Sequence, residues 1–223
     1  MELVTIQIAL FSENLISRPD VLMNEINNRL GNILDSMPTI LNLPIDAPAE
    51  IPIAQIQSSN NIFSLNISRN RVDLIIRPNL AEKQSPSDCY KKYKATIDKY
   101  YKTVTNAIGV IRIGIIYTLF EEMANNVEAI FGKYMKENFP TNTTEISIRT
   151  NTHSMNKNII YNNIRNVQAG DLHIGNQVHS GVVIQLDTNN IPNNEVLLTN
   201  EMLSAALALA SNKLKVGALK ELI

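Results

Sequence analysis

Apolar and polar residues alternate from Val4 through Ile8 and the run continues to Phe11, the rhythm of a strand covered on one face. The period then lengthens to that of a helix. Ser17 offers an N-cap, Pro19 and Asp20 suit a first turn, and Leu22, Ile26, Leu30, Ile33 and Met37 share one helical face. A proline-rich stretch, 44–52, closes this unit. Three short strands are predicted next, at 53–57, 62–68 and 72–77, with the last two joined by the tight turn Arg69-Asn70-Arg71 as an antiparallel meander. Ser85 and Pro86 then open a second helix, whose apolar positions Cys89, Tyr93, Ile97, Tyr100, Val104 and Ile108 recur at helical spacing up to Gly109.

From Val110 the same order begins again. A strand runs to Phe120, and a helix carries Met123, Val127, Ile130 and Tyr134 and is stopped by Pro140. Strands follow at 145–152, 158–165 and 181–187, and a last helix starts at Thr199 or Asn200 and runs to the end. Each half, 1–109 and 110–223, therefore reads β-α-β-β-β-α. Few residues are identical between the halves, so the repeat is one of pattern. The expected fold is α+β: two similar lobes from an internal duplication, each an antiparallel sheet with helices packed on one face.

The strand Val72-Asp73-Leu74, the tyrosine-rich helix from Tyr90 to Tyr101, the strand Ile111-Arg112-Ile113-Gly114-Ile115, and Val183-Ile184-Gln185-Leu186-Asp187-Thr188 before a terminal helix stand in a familiar order. That order resembles a sporadically distributed bacterial family of uncharacterised proteins of similar size, across most of the chain. The resemblance transfers no catalytic residue. What it implies is a setting, that of a defence or mobile-element system in a bacterium or phage.

Composition narrows the field of activities. With 223 residues, 44% of them hydrophobic and 18% charged, and a net charge of -1, the sequence is globular in type and is not strongly basic. Eight glycines form no phosphate-cradling fingerprint, and Cys89, the single cysteine, can build neither an internal disulfide nor a thiolate zinc site. The start of the chain lacks the basic residues of an export signal. The longest apolar stretch, 107–120, is shorter than the roughly 20 residues a membrane helix needs and holds Arg112, so a cytoplasmic protein with no membrane partner is expected.

Four constellations carry the candidate chemistry. In the glycine-punctuated stretch 169–181, His173, His179 and Asp171 offer donors a divalent ion accepts, but at no recognised ligand spacing. A partner-contact loop and a solvated hairpin extension are the other readings of 166–181; the expectation is that neither histidine is a metal ligand. Cys89 falls on an apolar stripe, where a thiol packs and stays inert. Arg112 interrupts a strand whose other face is apolar and could meet an anion or a partner's carboxylate. On the helix 88–102, Lys91, Lys92, Lys99 and Lys102 gather opposite the apolar stripe, edged by Tyr90 and Tyr101, a surface suited to nucleic acid or to an acidic protein.

The terminal helix shows two apolar seams. Leu203, Leu207, Ala210, Leu214 and Ala218 form the first; Met202, Ala205, Leu209, Val216 and Ile223 form the second. The first suits the helix's own sheet. The second, with Met202, Leu209, Val216 and Ile223 as contacts, suits either a second subunit in a dimer or the other lobe. No set of acid, base, nucleophile or metal ligands assembles at recognisable spacing, and no cofactor is implied. The expected function is thus non-catalytic: a protein–protein interaction or assembly component, with nucleic-acid binding through the lysine helix as the alternative.

Overall fold

The computed structural model describes residues 1–44, 46–134, 143–191 and 196–220. Among them the strands are β1 (Glu2–Ser12), β2 (Thr39–Ile40), β3 (Ala54–Gln57), β4 (Phe63–Ile67), β5 (Arg71–Ile76), β6 (Val110–Glu122), β7 (Ser147–Asn156), β8 (Ile159–Ile174) and β9 (Gln177–Asn190). All pair antiparallel in one nine-stranded sheet, in the order β2-β3-β4-β5-β1-β6-β9-β8-β7. The helices are α1 (Pro19–Arg29), α2 (Pro86–Ala107), α3 (Asn126–Tyr134), α4 (Asn200–Asn212) and α5 (Val216–Lys220). The fold is α+β. Residues 1–109 and 110–223 meet in this common sheet, where β1 pairs β6 from Glu2 opposite Phe120 to Ser12 opposite Val110.

Side chains along a strand point alternately to the two faces, so the register assigns every strand residue to a side. Ile6, Ile8 and Leu10 of β1 stand beside Ile76, Leu74 and Val72 of β5 and beside Tyr117, Ile115 and Ile113 of β6, all buried. This is the helix face. α2 crosses it between α1 and α4, touching both, and sets Cys89, Tyr93, Ile97, Tyr100 and Val104 into the core. Its start follows from the sequence: Pro86 fits the first turn, and the Ser85 hydroxyl accepts the backbone N–H of Asp88. The buried Tyr100 hydroxyl donates toward the carbonyl oxygens of Val72, at 2.7 Å, and Ile8, at 3.2 Å, fastening α2 to two strands. α3 lies on the same face, over β8 and β9, where Tyr134 stacks on Arg165.

Three elements depart from expectation. α1 ends at Arg29, because Gly31 and Asn32 take positive φ and turn the chain; Met37 is exposed rather than on a helical stripe. β2, paired with β3 through Thr39 and Ile40, has no counterpart in the expected pattern. The stretch 166–181 takes the hairpin-extension reading and not that of a loop: β8 and β9 run through it as paired strands to a two-residue turn at Gly175 and Asn176. The terminal helix breaks after Asn212, and α5 is a separate element. No described helix is long and apolar enough to cross a membrane.

Candidate functional site

Among the described residues, no helix lies on the face of the sheet opposite α1–α5. That open face carries the alternate residues of each strand. Near one end of its middle strands, Phe11 of β1 stands between two cross-strand neighbours, Arg71 of β5 and Arg112 of β6. Their guanidinium carbons lie 5.6 Å and 5.1 Å from the centre of the phenyl ring, within cation–π range. The two arginines differ in what else they hold. Arg71 Nε donates at 2.6 Å to Asp73, which is 1% exposed and also accepts from Gln7 Nε2 at 2.9 Å. The charge of Arg71 is therefore neutralised where it stands.

Arg112 has no such partner: among the described residues no carboxylate reaches it. One terminal nitrogen makes a long contact, 3.4 Å, with Asn189 Oδ1, and its buried Nε has no hydrogen-bond partner. Asn189 Oδ1 is shared with the Asn162 amide at 3.1 Å, while the Asn189 amide donates to Asp187 at 2.9 Å. Along the same face from this polar cluster toward the other end of the strands lie half-buried aliphatic residues, Ile75, Ile116, Ile164 and Val183, interspersed with Thr118, Gln168 and Gln185. A planar cation with spare donors, set among aliphatic and amide side chains, can accept a carboxylate or phosphate while the surrounding face packs.

The structure separates other sequence candidates. His173 and His179 occupy opposite faces of the β8–β9 hairpin by strand parity. His179 Nδ1 sits 3.1 Å from Glu122, and Asp171 accepts from the Ser180 hydroxyl at 2.6 Å, so the three candidate donors do not converge. Cys89 is buried, and desolvation pushes its thiol up to about 11, which leaves it inert at neutral pH.

On α2 the lysines are exposed, but Lys91 pairs with Asp88 and Lys92 with Glu82, both at 2.7 Å. Among the described residues only Lys99 and Lys102 of the four lack a carboxylate partner. Tyr90 and Tyr101, expected at the edge of this basic surface, are instead 6% and 3% exposed; Tyr90 packs edge-on against Tyr117. Neither ring is available to stack on a base. This corrects the expectation, and the reason is that the buried stripe of α2 is wide enough to take in both tyrosines.

The second seam of the terminal helix is divided between two elements. Met202 and Leu209, on α4, are half-buried and pack in part against the core of their own chain. Val216 is exposed, but on α5, and the break between the helices takes it out of line with Leu209. Ile223 lies outside the described residues. Sequence reasoning found Arg112 but missed Phe11, Arg71, Asp73 and Gln7. The available signal was that Phe11 falls on the polar side of an alternating strand. No protein-family model matches the chain, and no curated protein matches it.

Proposed function

We propose that the protein is a non-catalytic interaction component that binds a partner protein through the open face of its sheet, with Arg112 as the central cationic contact. One observation carries this reading: the described helices cover one face and leave the other, while Arg112, on a middle strand of the uncovered face, has no carboxylate partner among the described residues. The mixture of aliphatic and amide side chains around it suits a protein surface. A phosphate backbone would call for several free cations, and Arg71 is already paired. The dispersal of His173, His179 and Cys89 supports a binding role over a catalytic one. The apolar seam that argued for a homodimer packs in part against its own core and is interrupted before Val216, which favours a different chain as the partner.

The same reading extends to the origin of the fold. Outward from the β1–β6 pair, each half sets four strands in one sequence, β1-β5-β4-β3 on one side and β6-β9-β8-β7 on the other, with the two-residue β2 added beyond β3 in the first half alone. This order is what a duplicated β-α-β-β-β-α unit would produce, and it supports an ancestral duplication with the open face spanning both copies.

A photo-crosslinking residue at Gln185, on the open face, is expected to capture one defined protein in cells, and the same group at Lys94, on α2, is not. Arg112→Glu should abolish that capture with the circular dichroism spectrum unchanged. Equal capture from both positions, or capture indifferent to Arg112→Glu, would overturn the reading. So would a salt-dependent oligonucleotide shift lost in that variant, which would assign the face to nucleic acid.

A further inference from the structure

The helix face is apolar across most of the sheet, but not everywhere. In the first half, two adjacent cross-strand rows, Leu74–Leu65–Ile56 and Val72–Ile67–Ala54, are buried aliphatic side chains. The rows at the matching sheet positions of the second half are Leu186–Arg165–Thr150 and Thr188–Asn163–Thr152. Here the layer of helices leaves a cleft of about 170 Å³, lined by Thr150, Thr152, Asn163, Arg165, Leu186 and Lys213, with Ala218 of α5 at its rim. That is several times the roughly 30 Å³ a water molecule takes up in the liquid.

Two cations enter this cleft, and among the described residues no carboxylate lines it. Lys213, the residue that ends α4, is half-buried and donates to the Thr188 hydroxyl at 2.5 Å. Arg165 stacks on Tyr134 at 5.5 Å. Among the described residues neither has an ion-pair partner. Burial strips the Lys213 amine of part of its hydration, and an anion in the cleft offsets that loss while accepting hydrogen bonds from the two cations that line it.

We propose that this cleft is a binding site for a small oxyanion, a phosphate or carboxylate group held between Lys213 and Arg165 with Thr150 and Thr152 as hydroxyl donors. The site is built on three paired strands, which fixes the spacing of its donors before a ligand arrives. Burial holds the Lys213 amine down to about 8, with the Asp187 carboxylate acting in the opposite sense. At neutral pH the amine is still largely protonated and lacks its full hydration, the state in which an oxyanion gains most from it.

The test is a titration of the isotope-labelled full chain, followed by amide chemical shifts, with inorganic phosphate, with succinate, and with chloride at matched ionic strength. Saturable shifts at Thr152, Asn163, Arg165 and Lys213 are expected with phosphate, succinate or both, and none with chloride; the stronger of the two identifies the source of the oxyanion. Lys213→Met and Arg165→Met, which keep the length of the side chain, should each weaken binding by about tenfold or more, and Lys99→Met on α2 should leave it unchanged. The absence of saturable shifts, equal shifts with chloride, or binding untouched by both variants would overturn the assignment.

Discussion

Gly181 shows how tightly the open face is set at one residue. A Cβ added there would stand 2.2 Å from the Glu121 carbonyl oxygen and 2.6 Å from the Phe120 ring, and backbone cannot give way as a flexible side chain does. Gly181→Ala should cost about 2–3 kcal/mol, read as a lower urea midpoint. Gly132, inside α3 with nothing within 4 Å of the same added carbon, should respond in the opposite sense. There Gly132→Ala is expected to stabilise by about 0.5–1 kcal/mol. Lys213 ties residue chemistry to pH. Its amine titrates near 8 when folded and near the ordinary lysine value when unfolded, so between those two points the unfolded chain binds more protons. Stability therefore rises with pH across that window, from about 8 toward about 10.5, by roughly 1–2 kcal/mol after allowing for the amine's partial solvation. Lys213→Met should remove this rise and make the protein more stable at pH 7. A pH profile unchanged in the variant would show that the amine is solvated in the folded chain.

At the scale of elements, α2 is held by more than its apolar stripe. The Tyr100 hydroxyl bonds backbone carbonyls of two different strands, so Tyr100→Phe should lose about 1–2 kcal/mol although the ring still fits. Hydrogen exchange at the β1–β5 pairing is expected to quicken, and exchange that stays as slow as before would assign the anchoring to packing alone. The stripe itself was plain in the sequence, because about six turns of uninterrupted period leave no competing reading. So was the order of the longer strands and helices in both halves, though the two-residue β2 and the separate α5 were not. What could not be read were features set by tertiary contact: the early stop of α1, where Gly31 and Asn32 compete with a stripe that continues through Ile33, and the break in the terminal helix at 213–215, which no proline or glycine marks. The 166–181 stretch left loop and hairpin extension open because its Asn, Gly and Asp residues are turn formers in isolation; paired along a neighbour, they extend two strands. Arg112 was legible as an interruption of an apolar strand. Its neighbours Phe11 and Arg71 were not, since only the register brings three strands' residues into one row.

For the molecule as a whole, the β1–β6 pair decides whether the two halves are independent. The buried apolar residues form one cluster that runs from Leu3 to Leu219, and 223 residues are within the size that a single core can serve. Cutting the chain after Gly109 would strip β1 of one of its two neighbours. It would also expose Ile6, Ile8 and Leu10 along a long edge and remove α4 from the side of α2. The backbone ladder that crosses between the two pieces is the β1–β6 pairing itself, from Glu2 opposite Phe120 to Ser12 opposite Val110. We therefore expect the full chain to unfold in urea as one transition. Backbone circular dichroism and tyrosine fluorescence should coincide, since Tyr93 and Tyr100 report on the first half and Tyr117 and Tyr161 on the second. The fragment 1–109 is expected to aggregate or to lack a cooperative transition, and mixing it with 110–223 should restore one. If the fragment alone gives a dispersed amide spectrum and a cooperative transition, or if the full chain unfolds in two steps, the halves are separate folding units and the shared sheet is a docking arrangement between them.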